Sequence, residues 1–248
     1  MILTSLWPVS ATSPASGPCR VEFKLGAQRV DIDAADAADV SFERASAVRS
    51  FPAWKGKRHY SGLLWLDRLR QHVEFESLAE RLCLIELDRE TQVAAVSSQP
   101  MWIRWCDGTS RAHAPDYFAR LHDGGAVVID VRPERRIDER ARCQVDRTAV
   151  FCEERGWRYV VYAEDSRVRD ANLRFLLRYR HPHWRSLDIL PRVRGFQGRI
   201  HELVALLDDG DPADALARCY ALMWSGELVA ELDQPLSMRT EVRWEEVS

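Results

Sequence analysis

Asp116, Asp130 and Arg132 are the residues of this chain whose types and spacing could do chemistry. Asp123-Gly124-Gly125 reads as a turn between two strands, and pairing residues outward from 123 and 124 sets Asp116 opposite position 130 or 131, depending on the loop. Directly opposed residues of an antiparallel pair have Cβ atoms about 5 Å apart. Side chains alternate along a strand, so Asp130 and Arg132 share a face and Val131 takes the other. Two carboxylates held together repel unless a cation lies between them. Magnesium, which prefers oxygen ligands and keeps several waters, suits an open site of two carboxylates and a backbone carbonyl. Such an ion polarises a phosphodiester oxygen and acidifies a bound water. Arg132 would add positive charge beside a transition state, but a guanidinium stays protonated and cannot act as a base.

Taken singly, Asp116 is equally a turn former or a surface group, and Glu76 and Glu80 are equally a solvated helix edge. Asp130 is more telling, because it sits inside the apolar run Val127 to Val131, where an unpaired carboxylate is costly.

The elements that must position these residues follow from periodicity. From His72 the spacing of Phe75, Leu78, Ala79, Leu82, Ile85 and Leu87 predicts a helix, with Glu76 and Glu80 one turn apart on its edge. Strands are predicted at Trp102 to Trp105, at Arg111 to Phe118 around an Asp107-Gly108 turn, and at Ala126 to Val131, the last buried on both faces. A helix from about Asp138 carries Ala141, Val145, Thr148, Ala149 and Cys152 on one face and closes at Gly156, before a strand at Trp157 to Tyr162. Helix, meander, helix and strand in that order predict an α/β (α+β) fold, a mixed sheet packed between helices. After His181-Pro182-His183 a smaller unit follows: a helix at Gly198 to Leu207, a second opened by Asp211-Pro212, and strands at Glu227 to Leu232 and Met238 to Trp244. That outline is compatible with a winged-helix module. The expected division is therefore a lead segment 1–45, a main domain 46–180 and a C-terminal winged-helix-like domain 181–248.

Composition narrows the class. With 46% hydrophobic and 29% charged residues the chain has the make-up of an ordinary soluble protein, and the expectation is a cytoplasmic one with no signal peptide and no membrane span. Cys19, Cys83, Cys106, Cys143, Cys152 and Cys219 lack ligand spacing and read as reduced thiols. No glycine-rich phosphate loop is present, so ATP hydrolysis is not expected. A net charge of -3 excludes coating of nucleic acid by bulk charge, yet residues 167–199 carry nine arginines against Asp170 and Asp188. Such a stretch suits phosphate contacts or a solvated face.

Pro115-Asp116 and Asp130-Val131-Arg132, preceded by a helical glutamate, resemble the PD-(D/E)xK nuclease motif with Arg in place of its final Lys. Together with Phe75 to Glu80, Val96-Ser97-Ser98-Gln99-Pro100, His113 to Phe118, Val128 to Pro133 and Gly156-Trp157, they make the chain similar to TnsA-type endonuclease subunits of heteromeric transposases, over roughly residues 45 to 180. The resemblance implies a restriction-endonuclease-like fold and a magnesium-dependent DNA endonuclease, manganese substituting, that cuts at the 5′ ends of a transposon. It implies catalytic roles for Glu80 (Glu76 in reserve), Asp116, Asp130 and Arg132, the three acids also ligating the metal. It also implies partners: double-stranded DNA at transposon ends, a DDE-type transposase subunit and an AAA+ ATPase regulator. Gln99 matches a Gln of that family and is expected to make a structural hydrogen bond. The departure at Arg132 gives the alternative, a catalytically inactive assembly factor bridging transposase, ATPase and DNA; a stand-alone restriction or repair nuclease is the third reading.

Overall fold

The computed structural model describes residues 19–49, 60–105, 112–132, 138–163, 166–185 and 187–246. The chain divides into two compact units, one ending at residue 164 and the other beginning at 165. Residues 165–180, expected at the end of the main domain, thus belong to the second unit.

In the first unit β1 (Cys19–Leu25) and β2 (Gln28–Asp33) form a hairpin, and two 3₁₀ turns, Ala34–Asp39 and Phe42–Arg44, follow. A second hairpin, β3 (Gly62–Leu66) and β4 (Gln71–Phe75), leads into α1 (Leu78–Arg89). Then come β5 (Val93–Ser98), β6 (Met101–Trp105), β7 (Ala112–His113), β8 (Tyr117–Leu121), β9 (Ala126–Val131), α2 (Glu139–Glu153) and β10 (Arg158–Tyr162). They build two four-stranded sheets, ordered β2-β1-β6-β7 and β10-β9-β8-β5. The second is mixed, with β9 and β10 parallel and the other pairs antiparallel.

Three expectations change. Residues 19–45, expected as a lead segment apart from the main domain, share its core: Val21, Phe23, Ala37 and Phe42 are buried with Met101, Ile103, Phe118, Val128, Phe151 and Trp157. The Phe42 ring stands 5.2 Å from Phe23, 5.6 Å from Phe118 and 5.8 Å from Trp157. The strand at 101–105 pairs with β1 and β7 and not with the β8–β9 meander. Residues 71–75 are strand and not helix, because Val73 and Phe75 are buried in alternation while Phe75 also fits the helical period. The predicted Asp107-Gly108 turn lies outside the described residues.

Alternation along β8 and β9 gives the mixed sheet two working faces. Phe118 and Val128 pack with Phe151 and Cys152 of α2. Tyr117 points the other way, and its Oη donates to the Glu74 carbonyl of β4 at 3.1 Å, on the side where α1 packs on β3, β4 and β9. α2 forms as its periodicity predicts, with the Asp138 carboxylate accepting the Ala141 N–H at 2.8 Å and Val145, Thr148, Ala149 and Cys152 buried.

In the second unit α3 (Arg167–Leu176) runs into 3₁₀ turns at Leu177–Tyr179 and Pro182–Trp184. After α4 (Leu190–Val193) come β11 (Gln197–Arg199), α5 (Ile200–Leu207), α6 (Pro212–Ser225), β12 (Leu228–Val229) and β13 (Glu241–Trp244). The three strands are ordered β11-β13-β12, all antiparallel. Asp211 caps α6, accepting from Ala213 N and Asp214 N, and Gly226 closes it at a φ of +89°.

Candidate metal centre and its buried neighbour

Tyr117 pairs with Ile129, so one step outward along the same register Asp116 faces Asp130, the nearer of the two expected positions. The side chains then part company. Asp116, just ahead of β8, turns its Oδ2 onto the backbone N–H of Val131 at 2.7 Å, finishing the ladder where β8 has ended. Asp130 continues the face of Val128 and is wholly buried. Its Oδ1 and Oδ2 lie 3.0 and 2.8 Å from Nε2 of His113, and Tyr159 Oη donates to Oδ2 at 2.5 Å. Gln144 of α2 sets the imidazole from behind, its Nε2 lying 2.6 Å from His113 Nδ1.

On the other side α1 delivers Glu80. Ser77 caps the helix, its Oγ accepting the Glu80 N–H at 3.1 Å and donating to Glu80 Oε1 at 2.9 Å. Glu80 Oε2 takes the Glu76 N–H at 2.7 Å. Of the two candidate glutamates, Glu80 is therefore turned back into the helix start, while Glu76 Oε2 pairs with Arg49 Nη2 at 3.0 Å.

Electrostatics ties the parts together. Burial, followed by the charges of Asp130 and Glu80, holds the Asp116 carboxyl well above the usual carboxylate range. Burial also raises Glu80, against the hydrogen bonds from Glu76 and Ser77. The Cys83 thiol, enclosed in α1, is pushed up by burial and then by Asp116. Asp130 goes the other way: burial works against its charge, but the attraction and hydrogen bond of His113, the Tyr159 hydroxyl and Arg132 leave it below the ordinary value. One carboxylate is satisfied and ionised, and its neighbour carries the cost of crowding.

Two further groups are incompletely satisfied. Arg132 draws down the carboxyls of both Asp116 and Asp130, yet its buried Nε has no hydrogen-bond partner among the described residues. Gln99 adopts a φ of +44°, a left-handed backbone that costs a non-glycine residue, and is bonded through its N–H to the Asp116 carbonyl at 2.9 Å. Its side chain is buried and Oε1 has no partner among the described residues, so the hydrogen bonds that Gln99 makes there are those of its backbone, to the Asp116 carbonyl and from the Val48 N–H.

The structure thus brings Asp116, Glu80 and Arg132 into one electrostatic neighbourhood and commits the Asp130 side chain elsewhere. Among the described residues no three His, Cys, Asp or Glu side chains are grouped as a metal-holding set. Both oxygens of Asp130 are engaged, and so are both of Glu80, by the Ser77 hydroxyl and the Glu76 N–H; of the three expected ligands only Asp116 keeps an oxygen without a hydrogen bond among the described residues, and Glu80 could join it as a ligand only by giving up one of its two. Sequence reasoning missed Tyr159, Gln144 and the role of His113. The available signal was the bare need of a carboxylate inside Val127 to Val131 for a polar partner.

No helix among the described residues is long and apolar enough to cross a membrane. Comparison with protein-family models and with curated proteins gives no match for the chain.

Proposed function

We propose that the first unit is a divalent-metal-dependent DNA endonuclease of restriction-endonuclease-like type, working as the end-cutting subunit of a heteromeric transposase with a DDE-type transposase and an AAA+ regulator. The observation that carries the reading is the crowding at Asp116, which faces Asp130 across the β8–β9 register and whose carboxyl is raised by burial and then by the charges of Asp130 and Glu80. Repulsion between acidic groups is what a divalent cation relieves.

Asp116 and Glu80 would hold the ion. Magnesium, when bound, supplies Lewis acidity toward a phosphodiester oxygen and a more acidic water. The chain's own residues do the rest. Arg132, whose Nε has no hydrogen-bond partner among the described residues, would donate to a phosphate oxygen and offset developing negative charge. Gln99, whose N–H is bonded to the Asp116 carbonyl, offers a buried acceptor that has no partner among the described residues, suited to orienting a hydroxyl or water. His113, Tyr159 and Gln144 hold Asp130 fixed, and with it the Val131 N–H that positions Asp116.

A specific observation favours the second reading, a non-catalytic assembly factor: Asp130 is sealed by His113 and Tyr159, and Arg132 stands where the nuclease motif has its lysine. Purified protein mixed with its transposase, transposon-end DNA and magnesium distinguishes the two. Cleavage abolished by Asp116→Ala is the expected result; identical products from wild type, Asp116→Ala and Asp130→Ala overturn the nuclease reading.

A further inference from the structure

In helix-turn-helix proteins the second helix enters the major groove. In the second unit α6 holds that place, following α5 and a short turn that contains Gly210. Its surface does not suit the task. Cys219, Tyr220, Ala221, Leu222, Met223 and Trp224 are all buried. Phe175 and Tyr179 lie across it, with ring centroids 4.8 and 5.0 Å from that of Tyr220. Its single cation, Arg218, is paired with Asp214 at 2.5 Å and Asp188 at 4.0 Å. The approach to the helix carries Asp208, Asp209, Asp211 and Asp214, carboxylates where a reading helix would meet phosphates.

α3 has the opposite character. Asn172, Leu173 and Leu176 bury one side, and Arg167, Ala171, Arg174 and Arg178 are exposed at spacings of four, three and four, one face of a helix that runs on into the 3₁₀ turn. Arg174 is steadied by Asp170 at 2.6 Å. Arg167 and Arg178 have no ion pair among the described residues. The element is firmly held: Asn172 Nδ2 donates to the carbonyls of Leu232 and Gln234 at 2.8 Å each, fastening α3 to the β12–β13 connection.

We infer that the Arg167–Arg174–Arg178 face of α3 binds the phosphate backbone of double-stranded DNA, and that α6 serves as core rather than as the reading helix. At 1.5 Å rise per residue the stripe spans roughly 16 Å, long enough to meet several phosphates of a duplex that carries one per ~1.7 Å of axis. Guanidinium groups are forked donors matched to phosphate, and contacts of this kind set register without reading sequence. With only Ala171 among the exposed apolar positions of the stripe, it lacks the anchors that a membrane surface requires. The inference rests on the proposed DNA-processing role only for its choice of ligand.

The test is fluorescence anisotropy of a labelled short DNA duplex with the full chain, in EDTA so that no cutting intervenes, over a series of salt concentrations. The triple variant Arg167→Ala, Arg174→Ala, Arg178→Ala should bind at least ~10-fold more weakly, and its log–log salt slope should be shallower by roughly 2 to 3. The matching triple Lys variant should keep the slope, which a merely structural role for the three arginines would not predict. Ala213→Glu, on the exposed first turn of α6, should leave binding unchanged. Wild type that does not bind, an Ala triple with the wild-type slope, or loss of binding in Ala213→Glu each overturns the inference. An acidic protein surface then becomes the partner of the stripe. Cleavage of transposon-end DNA in magnesium is measured separately from binding in EDTA, so failure of the nuclease reading and failure of the stripe are distinguishable.

Discussion

Nε2 of His113 lies 2.8 Å from Oδ2 of Asp130, and both side chains are buried, so the acidic residue of the Asp130-Val131-Arg132 motif is an internal anion with its own internal partner. Removing one member of such a pair strands the other. Asp130→Ala should therefore destabilise the first unit by about 3 kcal/mol or more, lowering Tm by roughly 6 to 12 °C in a thermal melt. Asp130→Asn, which keeps two hydrogen-bonding atoms, should cost less. A variant that melts like wild type and has lost only cleavage would instead mark Asp130 as a reacting group.

That relationship shows how far the sequence could be read. The Asp123-Gly124-Gly125 turn and the apolar run of β9 are local signals, and from them the pairing of Asp116 with Asp130 and the mixed α/β layering followed. The partners of Asp130 come from β7, β10 and α2, at separations of 17 to 31 residues along the network, and nothing in a strand's own pattern announces them. The same holds for residues 19–45, whose strand β1 is fixed by pairing with β6, about eighty residues further along the chain, and not by a local signal. The helix start was misplaced because Phe75 satisfies both a two-residue and a 3.6-residue period.

Acid should stabilise the first unit before it destabilises it. Asp116 and Glu80 have raised folded-state values, so the folded protein holds protons that the unfolded chain has released. Stability from these groups is therefore gained as pH falls from neutrality through their folded values toward about 4, the unfolded range. Asp130 has the contrary sign: its folded value is depressed, and its contribution, complete above about 4, is lost as pH falls through that folded value. Tm against pH should peak on the acid side of neutrality, and Asp116→Asn should flatten the rise. Magnesium bound as proposed would relieve the same crowding, so it should raise Tm at pH above the peak and have little effect at it. A Tm that falls steadily from neutral pH downward contradicts this account.

Gln99 isolates the cost of its backbone. At a φ of +44° glycine is unstrained and alanine is not. Gln99→Gly and Gln99→Ala remove the same side chain to within a methyl group, so Gln99→Gly should be the more stable of the two by about 1 kcal/mol in denaturant unfolding. Equal loss of cleavage in both would assign the effect on activity to the missing amide; an alanine variant as stable as the glycine one would mean the segment relaxes out of the left-handed region.

Ser77 links helix stability to Glu80, the proposed metal ligand, and its removal should move stability and metal response in opposite directions. Its Oγ accepts the Glu80 N–H and donates to Glu80 Oε1, so the hydroxyl both starts α1 and holds the glutamate against its own helix. Ser77→Ala deletes both bonds, and loss of a cap of this kind costs about 1 kcal/mol. It also frees Oε1, leaving Glu80 fastened only through Oε2 to the Glu76 N–H. A carboxylate with one oxygen released turns toward a cation at lower cost. The expected outcome is a lower Tm in EDTA together with a larger magnesium-induced increase in Tm than wild type shows. Ser77→Thr, which retains the hydroxyl, should restore both values. If Ser77→Ala lowers Tm and leaves the magnesium response unchanged, Glu80 is a helix cap alone, and Asp116 must find its second metal donor elsewhere.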